Sequence, residues 1–252
     1  MVPFRSLLSL DRKFFGAYVR SPEGMIVEAM KYAGVDFIMY ELEHDQSTLA
    51  GLQGIIRACD AVGMACMVRV PCVDRVTILK ALDMGATGVK VCRLSSADMA
   101  RELVSFCKFP PEGTRSACGF VRSQHYGALT GAESYAKCNH DIVVSGVIED
   151  LEGLRNMEEI IAVPGLDTVS IGLSDIAALM GLPGQNGHPS IQKYMDECIS
   201  LCQKYGKQCS AQGLSREYMD RYRDVRCVSH FHLKAPELII YNGYRTMIEE
   251  LR

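Results

Sequence analysis

The chain has 252 residues, 48% of them hydrophobic, which is enough to build the core of one large domain. Its formal net charge is −3 and it carries no basic run, which argues against nucleic acid or an anionic membrane as a partner. No apolar stretch approaches the roughly 20 residues of a membrane span, and the N-terminus is too short and too interrupted for a signal peptide, so we expect a cytoplasmic protein.

Strand-like apolar runs alternate with segments of helical periodicity along the whole chain. The predicted strands are Phe15–Val19, Phe37–Tyr40, Ala65–Val70, Gly88–Cys92, Ile142–Glu149, Thr168–Gly172, Lys207–Ala211 and Cys227–His232. The predicted helices are Pro22–Ala33, Thr48–Ala61, Val76–Met84, Ala97–Phe106, Leu151–Ile161, Ile191–Tyr205 and Arg216–Arg223. Eight strands, nearly all followed by a helix, predict an α/β fold of the (β/α)₈ TIM-barrel class, with residues 1–252 forming one domain.

Glycine and serine residues mark the predicted helix ends. Left-handed C-caps are expected at Gly34, Gly63, Gly85 and Gly206. N-caps are expected at Ser21 and Ser96.

Two segments depart from this alternation. Pro110–His140 is long and has no clear strand, and long segments of this kind in compact domains are usually functional. Pro236–Arg252 adds a helix after the last strand, and its beginning is unusually apolar. That helix can pack on its own barrel or be exchanged between subunits, and the sequence leaves both arrangements open.

Eleven cysteines are many for a protein expected in the cytosol, but they form no C-x-x-C motif. Cys198 and Cys202 lie four positions apart on a predicted helix, so they share a face. We interpret them as core thiols rather than as half of a metal site. An odd number of cysteines also argues against a disulfide framework and favours a reducing compartment.

Glu149 and Asp175 form the most informative pair of acidic residues. Each follows an apolar run, and the 26 positions between them suit a strand, a helix and the next parallel strand. Both carboxylates are therefore expected at the C-terminal ends of neighbouring strands, where α/β proteins bind ligands. Two hard oxygen ligands suit Mg²⁺ or Mn²⁺, although ordinary strand-end acids remain the alternative.

Other strand ends add His44 and Arg69 to the same rim. Positive charge from a metal ion and an arginine stabilises a developing enolate, and a histidine transfers protons near neutral pH. Taken singly, Arg69 also fits a structural salt bridge and His44 also fits an ordinary loop histidine. Their convergence with the two carboxylates favours a catalytic site.

These residues belong to an ordered set of motifs: Glu-His at 43–44, Val-Arg-Val-Pro at 68–71, Leu-Asp-Met-Gly-Ala at 82–86, Phe-Pro-Pro-Glu-Gly-Thr-Arg at 109–115, Glu149, Gly-Leu-Ser-Asp at 172–175 and Gly-His-Pro at 187–189. The set resembles the HpcH/HpaI aldolases, the metal-dependent pyruvate aldolases of the phosphoenolpyruvate/pyruvate barrel superfamily.

The resemblance implies a role for each matching position. Glu149 and Asp175 would hold a divalent metal (Mg²⁺, Mn²⁺ or Co²⁺), and backbone N–H groups around Ser174 and Asp175 would help to hold the substrate carboxylate. Arg69 would neutralise a metal-bound pyruvate enolate. His44, oriented by Asp83, would act as acid and base in the cleavage of a 4-hydroxy-2-oxo acid to pyruvate and an aldehyde. The resemblance also implies a homo-oligomer, either a trimer or a hexamer, and no organic cofactor.

The chain departs from the family pattern near these residues. Glu41 stands where the family usually has Asp, Asp45 where it has Gly, Val147 where it has Gln, and Ser116 where it has Gly. These changes leave the metal and enolate residues intact but put the substrate in doubt. His230 and His232 alternate on the eighth strand, and we do not assign them to the site.

Three alternatives to an aldolase remain open from the sequence. One is an oxaloacetate-type decarboxylase that uses the same enolate chemistry, and another is a CoA-thioester lyase of the citrate-lyase kind. The third is a relative that binds a ligand without turnover, which the substitutions at positions 41, 45 and 147 allow.

Overall fold

Eight parallel strands form a closed barrel in the computed structural model, which describes residues 1–44, 47–129, 131–213 and 215–252. The strands follow one another around the barrel in chain order, and β8 pairs with β1. They are β1 (Phe14–Val19), β2 (Phe37–Glu41), β3 (Ala65–Val70), β4 (Gly88–Val91), β5 (Val143–Ile148), β6 (Thr168–Ile171), β7 (Gln208–Gln212) and β8 (Val228–Leu233). The (β/α)₈ prediction is confirmed, and each predicted strand overlaps an observed one.

Helices follow the strands and form the outer layer. Within the described residues they are α1 (Phe4–Leu8), α2 (Gly24–Tyr32), α3 (Leu49–Ala61), α4 (Arg75–Met84), α5 (Ala97–Cys107), α6 (Ala132–Asp141), α7 (Leu151–Arg155), α8 (Met157–Ile161), α9 (Leu173–Leu179), α10 (Pro189–Tyr205), α11 (Arg216–Arg221) and α12 (Pro236–Leu251). All four predicted C-cap glycines have positive φ angles, and the Ser96 side chain accepts a hydrogen bond from the Met99 N–H as an N-cap.

The predictions from the sequence missed three helices, merged two others into one and placed one N-cap wrongly. Helices α1, α6 and α9 were not predicted, since each is short or lies inside a segment read as a loop. The helix predicted over 151–161 is two helices separated at Asn156. The N-cap expected at Ser21 is also wrong, because α2 begins at Gly24 after Glu23.

The barrel interior changes from aromatic to polar along its axis. At the N-terminal end of the strands, Phe4 of α1 packs edge-on against Phe14 and Phe37 and so contributes to an aromatic cluster there. Above that cluster, buried polar side chains point inward from β4, β7 and β8, including Lys90, Ser210 and His232. Charged groups in this polar layer therefore lie beneath the C-terminal rim of the barrel, where they can contact a ligand.

Helix α12 stands apart from this core. It packs against β1, and none of its residues is buried. Its exposed apolar side chains are Leu238, Ile239, Ile240, Tyr241, Tyr244, Met247, Ile248 and Leu251. The additional C-terminal helix is confirmed, and its own barrel covers little of its apolar surface. None of the helices in the described residues is long and apolar enough to cross a membrane.

Candidate active site

A cavity of about 210 Å³ opens at the C-terminal ends of the strands. Most of the residues predicted from the strand ends line it. The predicted members are His44, Arg69, Glu149, Ser174 and Asp175. Because these side chains come from the ends of β2, β3 and β5 and from the first turn of α9, the barrel assembles them from distant parts of the chain.

Glu149 follows the last residue of β5 and is buried. Its Oε1 accepts a hydrogen bond from the Arg93 N–H at 2.9 Å, and its Oε2 lies 3.7 Å from Nη2 of Arg69. Burial raises the pKa of this carboxyl group, although the positive charge of Arg69 opposes that change. The carboxylate is therefore fixed in place, and its ionised form is unfavourable without a positive charge nearby.

Asp175 lies in the first turn of α9, next to the exposed Ser174. The helix begins immediately after Gly172, where an added Cβ would lie 2.7 Å from Glu149 Oε2. Glycine at this position therefore lets the β6–α9 connection approach the Glu149 carboxylate closely. The prediction that the two carboxylates stand at the ends of neighbouring strands is confirmed, since β5 pairs with β6.

Arg69 is the best-connected cation of the cavity. Its Nη1 donates to Glu41 Oε2 at 2.8 Å, and its Nη2 forms an ion pair with Glu43 Oε2 at 2.5 Å. Burial alone would lower the pKa of Arg69, but neighbouring acidic groups, among them Glu41, raise it instead. The guanidinium is thus a permanent positive charge in a fixed orientation, facing Glu149.

Glu43 joins three groups at the rim through its Oε2 atom. Besides Arg69, this oxygen accepts from the Cys92 thiol at 3.0 Å and lies 3.3 Å from His44 Nε2. The His44 side chain remains 61% exposed at the cavity mouth. Histidine and its neighbouring carboxylate therefore stand where a substrate would enter.

Lys90 supplies a second buried cation beneath the rim. Its Nζ lies 3.2 Å from Ser210 Oγ, to which it donates, and 3.1 Å from His232 Nε2. Burial lowers the pKa of Lys90 to about 8, and Arg69 lowers it further in the same direction. Burial and Lys90 also hold the pKa of His232 well below its ordinary range, so this histidine is neutral and can accept from the ammonium group.

Asp83 is the one predicted site residue that the structure does not bring to the cavity. It lies on α4, and its Oδ1 accepts from Nη2 of the buried Arg115 at 2.8 Å. Among the substituted positions, Val147 and Glu41 line the cavity, while Ser116 accepts from Arg75 on the outer surface. Asp45 lies outside the described residues.

The acidic groups of the cavity fit a hard divalent cation. Glu43, Cys92 and Glu149 bring ligand atoms within 4.8 Å of one another, which is a possible acidic metal site. Burial raises the pKa of the Cys92 thiol, which therefore stays protonated and donates to Glu43. The remaining donors are carboxylate oxygens, the ligands that Mg²⁺ and Mn²⁺ prefer. Glu149 and Asp175 are the pair that lines the cavity from adjacent strand ends.

Sequence reasoning missed Glu43 and Lys90 as members of this site and set His232 aside. Lys90 interrupts the apolar run of β4 at a position that pairs in register with Arg69 of β3, and both side chains point into the barrel. A lysine inside a strand of a parallel barrel was the available signal, because such strands are usually apolar throughout.

Comparisons with known proteins agree with this geometry. Residues 15–220 match the model of the HpcH/HpaI aldolase/citrate lyase family. The chain is 33% identical over 207 residues to a 2-dehydro-3,6-dideoxy-6-sulfogluconate aldolase of Pseudomonas putida, covering 82% of this chain and 80% of that protein. It is 31% identical to a hydroxypyruvate/pyruvate aldolase of Roseobacter denitrificans, over 81% of this chain and 79% of the relative.

The fold also has a close match among solved structures. An HpcH/HpaI aldolase from Desulfitobacterium hafniense superposes with a TM-score of 0.91 over 100% of this chain and 97% of that one. The two sequences are 21% identical, so this likeness concerns the fold.

Proposed function

The chain belongs to the HpcH/HpaI aldolase/citrate lyase family, and on this premise we propose that it is a divalent-metal-dependent aldolase. The proposed reaction is the retro-aldol cleavage of a 4-hydroxy-2-oxo acid to pyruvate and an aldehyde. One observation carries the proposal: His44, Arg69, Glu149 and Asp175 line a single cavity at the C-terminal rim of the barrel. This is the combination of charges and proton-transfer groups that enolate chemistry requires.

Glu149 and Asp175 would hold the metal ion. A divalent cation at this place would supply Lewis-acid stabilisation of the negative charge that develops on the keto oxygen. The Glu149 carboxylate is already oriented by the Arg93 N–H, so little reorganisation would accompany binding. The N-terminus of α9 has no side-chain cap, and its first N–H groups, around Ser174 and Asp175, would donate hydrogen bonds to the substrate carboxylate.

Arg69 would neutralise the enolate as the carbon–carbon bond breaks. Its guanidinium is held by Glu41 and Glu43, and only 12% of its side chain is exposed. A cation that is already fixed in a site shielded from water stabilises developing charge without having to reorient during the reaction.

His44 would remove the proton from the substrate hydroxyl and return it to the product. Glu43 is the carboxylate beside His44, with its Oε2 at 3.3 Å from His44 Nε2, whereas Asp83 accepts a hydrogen bond from Arg115. We therefore assign the orienting role to Glu43, and a role for Asp83 at His44 would require a contact beyond those within one chain.

Homo-oligomerisation is part of the proposal, as a trimer or a hexamer. The exposed apolar surface of α12 supports it, because a second copy could cover Leu238, Ile239 and Tyr241. Ile239→Glu should lower the mass measured by sedimentation velocity, and an unchanged mass would contradict this use of α12. The protein is also proposed to work in a reducing compartment, since all eleven cysteines are unpaired.

Exchange of the pyruvate methyl protons with deuterium tests the metal–enolate part without knowledge of the aldehyde. Proton NMR should show exchange that requires added Mg²⁺ or Mn²⁺ and that is lost in Glu149→Gln and Asp175→Asn. Asp196→Asn is the matched control, because Asp196 is an exposed acid paired with Arg221 on the outer surface. Exchange that persists in EDTA, or in both cavity variants, would contradict the proposal.

A further inference from the structure

A cluster of three buried thiols lies outside the candidate active site. Cys198 and Cys202 occupy successive turns of α10, and Cys209 lies on β7. Their three Sγ atoms lie within 4.8 Å of one another, and those of Cys198 and Cys209 are 3.9 Å apart. All three residues are fully buried.

The local sequence explains how these sulfur atoms meet. Spacing of four positions places two cysteines on the inner face of α10. Gly206 then ends the helix in the left-handed conformation, and Lys207 N–H donates back to the Cys202 carbonyl oxygen. The chain therefore turns directly into β7 and returns Cys209 to the same side. The cluster depends on a helix end that is well defined, not on a loop.

The separations suit a single thiophilic ion. Three sulfur atoms bound to one ion at about 2.3 Å lie about 3.8–4.0 Å apart, in either a planar or a tetrahedral arrangement. The Cys198–Cys209 distance already meets this value. The other two sulfur–sulfur distances are at most 4.8 Å, so they exceed it by less than about 1 Å. Side-chain rotation alone could supply such a shift.

Hydrogen bonds fix the positions of the three thiols. The Cys202 thiol donates to the Gln208 carbonyl oxygen at 3.7 Å, and the Cys198 and Cys209 thiols share a hydrogen bond at 3.9 Å. The thiolate is the form of cysteine that binds metal.

We propose that Cys198, Cys202 and Cys209 bind one thiophilic d¹⁰ cation of the Zn²⁺, Cd²⁺ or Cu⁺ class. With a divalent ion, three S–H protons are released to solvent and three metal–sulfur bonds form, with no change of oxidation state. The bound ion joins α10 to β7, the elements that contribute Met195 and Ser210 to the active-site cavity. This site is independent of the proposed aldolase reaction.

Titration with Cd²⁺ tests the proposal on the reduced, full-length protein without oxygen. Excess Mg²⁺ is present so that the carboxylates of the cavity do not compete. The ultraviolet thiolate-to-cadmium band should saturate at one equivalent, and Cys198→Ser, Cys202→Ser or Cys209→Ser should each weaken binding at least ~tenfold. Cys107→Ser is the matched control, because Cys107 is fully buried on α5 and stands apart from the cluster.

A second measurement uses the wild-type protein and does not depend on how the variants fold. X-ray absorption of protein loaded with one equivalent of Zn²⁺ should show mainly sulfur neighbours at about 2.3 Å. Oxygen and nitrogen neighbours alone, or a cadmium band that is unchanged in all three cluster variants, would overturn the proposal. Loss of the band in Cys107→Ser together with the cluster variants would also overturn it.

Discussion

Arg69 offers the sharpest separation of a catalytic role from a structural one. In Arg69→Met, the Glu41 carboxylate loses its ion-pair partner while its side chain is only 1% exposed. Removing one member of a buried pair costs about 3–5 kcal/mol of the free energy of unfolding. Loss of a fixed cation that stabilises an oxyanion should lower kcat by about 10²–10³.

The double variant Arg69→Met/Glu41→Gln distinguishes the two effects. In the wild type, Glu41 Oε1 accepts a hydrogen bond from the Glu43 N–H at 2.7 Å. Glutamine at position 41 keeps an oxygen that can accept this bond but removes the uncompensated charge. Urea unfolding should therefore show part of the lost stability restored, because Glu41 is no longer a buried unpaired charge, whereas Glu43 and Glu149 still lack the Arg69 cation. Turnover should stay low. If the double variant regains both stability and turnover, Arg69 is only a structural ion-pair partner and the reasoning is refuted.

Three further predictions follow from single positions. The free energy of unfolding of the wild type should rise relative to that of Lys90→Met by about 3 kcal/mol between about pH 8 and pH 10.5, as measured by urea unfolding. The reason is that the pKa of Lys90 is lower in the folded than in the unfolded protein, so the folded protein loses this proton first. A difference between the two proteins that does not change with pH would contradict this. His44→Ala should abolish pyruvate release from 4-hydroxy-2-oxo acids yet spare oxaloacetate decarboxylation, and equal loss of both activities would argue against the assigned proton transfer. Gly172→Ala should weaken Mn²⁺ binding, measured by calorimetry, at least ~tenfold, because the added Cβ displaces Glu149; unchanged affinity would remove Glu149 from the metal site.

The fold was accessible from the sequence because each strand of the barrel is a short apolar run bounded by glycine or polar residues. The run over Ala65–Val70, for example, is predicted at its observed bounds. Helix α9 was missed because it starts only two residues after the end of β6, inside the motif that contains Asp175. Its seven residues make about two turns, so the helical period hardly repeats beside the apolar run of the strand.

The site was only partly accessible. Residues at strand ends, such as Glu149, could be assigned because parallel strands deliver their C-terminal ends to one rim. Contacts between distant side chains could not be read from spacing, and the pairing of Asp83 with Arg115 is one of them. Lys90 was overlooked because the sequence of β4 alone does not show whether a side chain points into or out of the barrel. That direction depends on the register of β4 against its neighbours.

Pyruvate release tests the central claim most directly. A panel of 4-hydroxy-2-oxo acids, with oxaloacetate included, would be assayed by coupling to lactate dehydrogenase, first in EDTA and then with Mg²⁺, Mn²⁺ or Co²⁺ restored. The proposed mechanism predicts release from at least one hydroxy-oxo acid that depends on the added metal and disappears in Asp175→Asn. Metal-independent release, or silence with every metal and every substrate, would contradict a divalent-metal-dependent aldolase.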